Sequence, residues 1–136
     1  MADVANKNGI LAHNTTFVAG AGITFDRTAK NGSAHVGKAV MQSAADTVVL
    51  VTAGLEIFGI LTKVEPDGFC SVQDRGYGEV PDDGTAITYT NINNGLVGGA
   101  TAGTVKSATA VPAAGAIRRA RAIKAGTTGI VIADIG

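Results

Sequence analysis

Ile57-Phe58-Gly59-Ile60-Leu61-Thr62-Lys63-Val64-Glu65-Pro66-Asp67-Gly68-Phe69-Cys70-Ser71-Val72-Gln73-Asp74 is the stretch that decides the fold. Two short apolar runs rich in β-favouring residues flank Glu65-Pro66-Asp67-Gly68, which places Pro and Gly where a tight β-turn needs them. The reading is two antiparallel strands joined by a turn, Ile57 to Val64 and Phe69 to Asp74. Working outward, glycines recur every eight to twelve residues, and the segments between them are rich in Val, Ile and Thr. That spacing is the signature of an all-β chain. Further strands are predicted at Val36 to Met41, Thr47 to Thr52, Thr85 to Thr90, Ala116 to Lys124 and Thr128 to Ile135. Weaker ones are predicted at Thr16 to Ala19, Ile23 to Asp26, Gly78 to Val80 and Thr104 to Ser107. A second turn, Pro81-Asp82-Asp83-Gly84, is expected to continue the meander. Its two carboxylates are read as water-facing turn formers with ordinary pKa values.

Helix has little support, because Gln42 to Asp46 and Ala108 to Ala114 are short and interrupted. The near-continuous apolar runs Val48-Val49-Leu50-Val51 and Ile130-Val131-Ile132-Ala133-Asp134-Ile135 suggest strands covered on both faces. Four phenylalanines, Phe17, Phe25, Phe58 and Phe69, are read as the large plugs of a small barrel.

Composition narrows the class. Of 136 residues, 23 are Ala, 19 Gly, 15 Thr and 14 Val, and only 16% are charged, against roughly 25% in an average soluble domain. This excludes a charged disordered tail and a coiled coil, and a thinly charged surface fits a protein that works in an assembly. The length is that of one domain. Formal net charge is zero, so there is no overall field to gather nucleic acid. The zero hides a division. Residues 46–83 hold eight acids and two bases, whereas 105–136 hold five bases and one acid. Neighbouring copies could attract through such faces. The sole cysteine, Cys70, and two distant histidines, His13 and His35, form no disulfide and no metal cluster by spacing. Cys70 is expected to be a buried small hydrophobe. Neither a secretion signal nor a membrane span is expected.

The first sixteen residues read as an arm, Met1 to Thr16, ahead of a barrel domain over 17–136. Asn, Lys, Ala and Asp dominate there, and such a segment alone buries too little surface to offset its ordering entropy. Ile10, Leu11 and Phe17 are its candidate apolar anchors. The strongest charge cluster is Arg118-Arg119-Ala120-Arg121-Ala122-Ile123-Lys124. On a strand it places Arg119 and Arg121 on one face and Arg118 and Lys124 on the other, which suits a protected edge strand or contact with an acidic partner.

Chemistry is not evident. Ala19-Gly20-Ala21-Gly22 has no following Lys-Ser/Thr and no helix, and Asn94-Gly95-Leu96-Val97-Gly98-Gly99 lacks the strand-to-helix context of a dinucleotide site. Asp74-Arg75-Gly76-Tyr77-Gly78-Glu79 resembles a segment of trimeric dUTP pyrophosphatases, which implies that Asp74 and Tyr77 shape a nucleoside pocket. That family's phosphate-binding and flap motifs are missing from the chain.

A broader resemblance covers Val36 to Gly136. The order of a Gly-x-Ala-Val strand (Gly37 to Val40), a Val-rich strand, the Gly59-Ile60-Leu61 strand, a Gly turn and a strand ending at Gly78-Glu79-Val80 is similar to the small decoration, or cement, proteins of tailed bacteriophage capsids. The close, Ala120-Arg121-Ala122-Ile123, a Gly126-Thr127 turn and an apolar strand, is similar too. What this resemblance implies is an all-β, single-domain β-barrel or β-tulip-like fold with a flexible N-terminal arm. It implies no enzymatic activity and no cofactor. The site would be the outer surface of the expanded head, with the protein bridging major capsid protein subunits, without membrane or direct nucleic-acid contact. It implies a homotrimer, with dimer or monomer as alternatives. Ile10, Leu11, Phe17, Arg118, Arg119 and Arg121 become candidate capsid or subunit contacts. The alternatives are another β-rich virion module, in a tail or receptor contact, and the dUTP-pyrophosphatase-like enzyme.

Overall fold

Residues 12–90, 95–112 and 118–136 are described by a computed structural model. The turn that decides the fold forms as expected, with Gly68 N–H donating to Glu65 C=O at 3.2 Å and Phe69 N–H to Asp67 Oδ1 at 3.2 Å. It joins β4 (Gly59–Val64) to β5 (Phe69–Pro81), and the two pair antiparallel. Around them stand β1 (His13–Ala19), β2 (Ala39–Ala44) and β3 (Thr47–Leu50). The strand order is β1-β3-β2-β4-β5, and β1 pairs back onto β5, which closes a five-stranded barrel. Closure is made by one parallel contact, β1 with β3, in an otherwise antiparallel wall. The chain is therefore an all-β protein built on a small β-barrel.

The barrel is filled by Phe17, Ile23, Val40, Val48, Leu61, Val64, Cys70 and Val72. Alternation along each strand explains which residues these are. In β2, Val40 points inward while Ala39 and Met41 face out, and in β4 Leu61 points inward while Ile60 faces out. Cys70 is fully buried, and burial pushes its thiol pKa up, as expected of a small hydrophobe. Of the four phenylalanines read as plugs, Phe17 is buried and Phe58 half-buried. Phe25 and Phe69 are 41% and 46% exposed. Phe69 fails as a plug because Cys70, next to it on the strand, takes the inward direction.

A second layer leans on the outside of this wall. β5 is thirteen residues long, and only its first half belongs to the barrel. From Gly76 onward it pairs with β9 (Ile130–Ile135), which pairs in turn with β8 (Ala120–Ala125). Gly76 has φ +97°, a conformation that side-chain-bearing residues rarely adopt, at the point where the strand changes sheets. Buried Gln73 braces that bend, its Nε2 donating to the carbonyls of Arg75 at 3.2 Å and Tyr77 at 2.9 Å. A short hairpin, β6 (Leu96–Gly98) with β7 (Val105–Ser107), completes the layer. Between layer and wall lies a second core, which includes Ala39, Ile57, Ile60, Val80, Leu96, Val105, Ala120, Ala122, Val131, Ala133 and Ile135. The run from Ile130 to Ile135 is thus covered on both faces for most of its length.

Several expectations are corrected. Thr85 to Thr90 pairs with no strand. Asp82 and Asp83 instead close Asx turns onto Gly84 and Thr85, and Ile87 and Tyr89 satisfy the apolar alternation by leaning on the second core. Ile23 to Asp26 is also irregular, since Asp26 accepts from Thr28 N–H and Oγ1 and turns the chain. β6 was not foreseen. Finally, His13 to Thr16, placed in the arm by sequence, pair with β5 from Arg75 to Ser71, so the sheet begins no later than His13. Ile10 and Leu11 lie outside the described residues.

Candidate functional site

β8 stands at the end of the sheet, which agrees with the edge position read from its bases on both faces. The distribution of those bases differs from expectation. A β-bulge between Ala122 and Lys124 inserts one residue against β9, so that Arg121 faces Asp134 and Lys124 faces Ile132. Asp134 and Ile132 are two apart and share a face, so Arg121 and Lys124 share it as well. Strict alternation would have put them on opposite sides.

All three candidate arginines are engaged within the chain. Arg118, with only 11% of its side chain exposed, donates from Nε to both oxygens of Glu56 at 3.1 and 2.9 Å and from Nη1 to Ala110 C=O at 3.1 Å. Arg119 donates from Nη2 to Asp74 C=O at 2.6 Å and from Nε to Phe58 C=O at 3.3 Å. Its guanidinium lies 4.9 Å from the Phe58 ring centre, a cation–π contact. Arg121 pairs across the strands with Asp134 at 2.5 Å. The acidic stretch 46–83 and the basic stretch 105–136 therefore meet inside one molecule, through Arg118 and Glu56.

Phe17, a candidate anchor, is 9% exposed and belongs to the barrel filling. It meets Phe58 edge-on, with ring centres 5.3 Å apart and planes at 82°. Phe58 thus links two candidates that sequence left separate, with Phe17 beneath it and Arg119 above. A linkage across such chain distances leaves no local signal.

A second polar cluster, around exposed His13, has no counterpart in the sequence reading. His13 Nδ1 lies 2.6 Å from Asp74 Oδ1, and Thr15 Oγ1 donates to Asp74 Oδ2 at 2.9 Å. Because a carboxylate only accepts, the histidine nitrogen is the donor. Partial burial pushes the Asp74 pKa up, but the His13 and Thr15 hydrogen bonds and the attraction to His13 outweigh it, and the carboxyl is held below its ordinary range. Asp83 is also lowered, chiefly by the backbone N–H groups of Ala100 and Thr85, so its pKa is not the ordinary one expected of a turn former.

Beside the β5 bend lies a cleft of about 490 Å³, lined by residues that include Ile60, Gln73, Tyr77, Glu79, Lys124 and Ile132. Tyr77 borders it, whereas the Asp74 carboxylate is turned to His13 and Thr15. The two residues that a dUTP-pyrophosphatase-like pocket would combine are thus not brought together. Among the described residues no group of three or more His, Cys, Asp or Glu converges. Compared with known proteins, the chain matches no family model and no curated protein.

Proposed function

We propose that this protein is a capsid decoration protein of a tailed bacteriophage, bound to the outer surface of the expanded head and bridging major capsid protein subunits. The observation that carries the reading is the rooting of the N-terminal segment. His13 and Thr15 are both clamped to Asp74, and β1 is zipped to β5 along the barrel wall. β1 therefore offers a fixed point of attachment on a closed barrel, which suits a tether to a neighbouring subunit. Ile10 and Leu11 are its apolar anchors. The exposed side chains of Phe25, Leu55 and Phe69 offer further apolar contact area on the body itself. Arg121 in β8 and Arg119 just ahead of it, held by intrachain partners, present fixed charge at the rim.

A clamp that binds only the expanded lattice stabilises that state by its differential affinity. Contacts of about 5–8 kcal/mol each are enough when every copy touches two or more subunits and hundreds of copies act together. Trimers at local three-fold positions fit this geometry, with dimers and monomers as the other assembly states.

Mixing purified protein with undecorated expanded heads and sedimenting them tests the reading. Saturable co-sedimentation that is lost on deleting residues 1–11 is the expected result. Failure to co-sediment, or hydrolysis of deoxyuridine triphosphate by the free protein, would overturn it. Light scattering on the free protein decides among the assembly states.

A further inference from the structure

Two exposed features at the two ends of β4 complement each other. Ahead of its first residue, Met41, Leu55, Ile57 and Phe58 line an open groove of about 320 Å³, with Arg119 at its side. Leu55 there is 47% exposed. Beyond its last residue, the turn Glu65-Pro66-Asp67-Gly68 leads into Phe69, which is 46% exposed. A lone apolar side chain on a surface is ordinary. Here each stands beside charge, and the two charges have opposite signs.

At the groove, Arg119 bonds only the carbonyls of Phe58 and Asp74, and among the described residues no carboxylate pairs with it. Glu56, the other charged group of the groove, is cancelled by Arg118. The groove is therefore apolar with one net positive charge at its rim. At the turn, Asp67 accepts from Phe69 N–H through Oδ1. Asp46 stands close by, because its carbonyl accepts from Val18 N–H at 2.7 Å and Val18 lies opposite Phe69 on β1. Both acids are exposed, and neither carboxylate has an ion-pair partner among the described residues, whereas Glu65 is paired with Lys63. Phe69 is therefore an apolar knob with a net negative flank. One molecule cannot join the two. The six residues of β4 hold them about 20 Å apart, and the ladder to β5 fixes that span.

We propose that the protein associates with itself head to tail, Phe69 of one copy seating in the Leu55–Phe58 groove of the next and Asp67 coming to Arg119. Apolar area is buried on both sides, and the opposite charges at the rim set the register. The two surfaces differ, so the contact is heterologous, and it closes into a ring where its rotation allows or runs on as a filament. Leu55 and Phe69 then meet across copies, which leaves Phe25 for the shell-facing role. The contact belongs to the free protein and does not depend on the shell reading.

The experiment is size exclusion with light scattering on the free full-length protein over a concentration series, repeated with three variants. Phe69→Ser removes the knob and Leu55→Asp spoils the groove. Both positions are exposed, so the urea midpoint should stay near native, while association weakens at least ~10-fold in each variant. Mixed one to one, these variants should form a complex of two copies and nothing larger, because one intact knob and one intact groove remain to meet. Asp67→Asn keeps the acceptor for Phe69 N–H and removes the charge, so association should weaken at low salt and lose part of its salt dependence. A monomer at every concentration, association indifferent to Phe69→Ser and Leu55→Asp, or a mixture that stays monomeric would overturn the proposal. A monomer that still co-sediments with expanded heads would overturn this contact and leave the shell reading standing. Association that fits these expectations without co-sedimentation would support the contact and overturn the shell reading.

Discussion

The barrel and the layer beside it solve the same packing problem with different materials. Inside the barrel, Phe17, Leu61, Val64 and Val72 are large or branched and the wall closes on itself, with the His13 and Thr15 bonds to Asp74 on its seam. In the second layer the inward residues of β8 and β9 include Ala120, Ala122 and Ala133, the sheet ends at β8, and ion pairs fasten it. These alanines bring backbones close, while Ile57, Leu96, Val105, Val131 and Ile135 supply the buried apolar area of the second core. The open edge is also held by Arg118 to Glu56, by Arg121 to Asp134 and by the Arg119 bonds to the carbonyls of Phe58 and Asp74. Charge-assisted hydrogen bonds thus add to apolar packing where the sheet does not close.

Substitutions can break or sharpen this contrast. The largest effect is expected from Leu61→Ala, which empties a fully buried site in the barrel and should cost about 3 kcal/mol or more in urea unfolding. A loss below about 1 kcal/mol would show that the barrel is not the stable half. Arg118→Ala should cost about 1 kcal/mol, a figure reduced because Glu56 is 58% exposed. Hydrogen exchange should then rise first in β8 and β9, with the barrel amides still protected. Uniform loss of protection would mean that the two regions unfold as one.

Acid should weaken the molecule through Asp74 and Asp83. Their folded pKa values are depressed, so the stability they contribute is complete above the ordinary carboxylate value of 3.8. It is lost as pH falls below that value and through the folded values. Asp74→Asn should make stability between about pH 5 and pH 2 less steeply dependent on pH, measured as the urea midpoint. An unchanged slope would remove Asp74 from the clamp. The smallest effect belongs to Arg121→Ala, about 0.2–1 kcal/mol, since its side chain is 42% exposed.

How much of this was readable in the sequence follows the range of the interactions. Glu65-Pro66-Asp67-Gly68 specified a hairpin because turn chemistry is local, and β2, β3, β8 and β9 were found within a few residues for the same reason. β6 is three residues long, and Leu96-Val97 between glycines is too short to show a period. Thr85 to Thr90 has the right alternation without a ladder, because Ile87 and Tyr89 find burial against residues far away in the chain. The face of Lys124 was misread since a bulge depends on the partner strand. The His13 contact spans 61 residues, and nothing near His13 announces Asp74. Of the three arginines among the contact candidates, Arg121 lies in the edge strand and Arg118 and Arg119 just ahead of it, and their partners Glu56, Phe58 and Asp134 come from the fold.

One strand, β5, runs through both regions, and this has a mechanical consequence. A pull on the second layer travels along β5 into the barrel, where β1 and β4 grip its first half from both sides. The load then falls on a row of ladder hydrogen bonds together, in shear, instead of opening them one after another like a zip. A body built this way yields late and all at once.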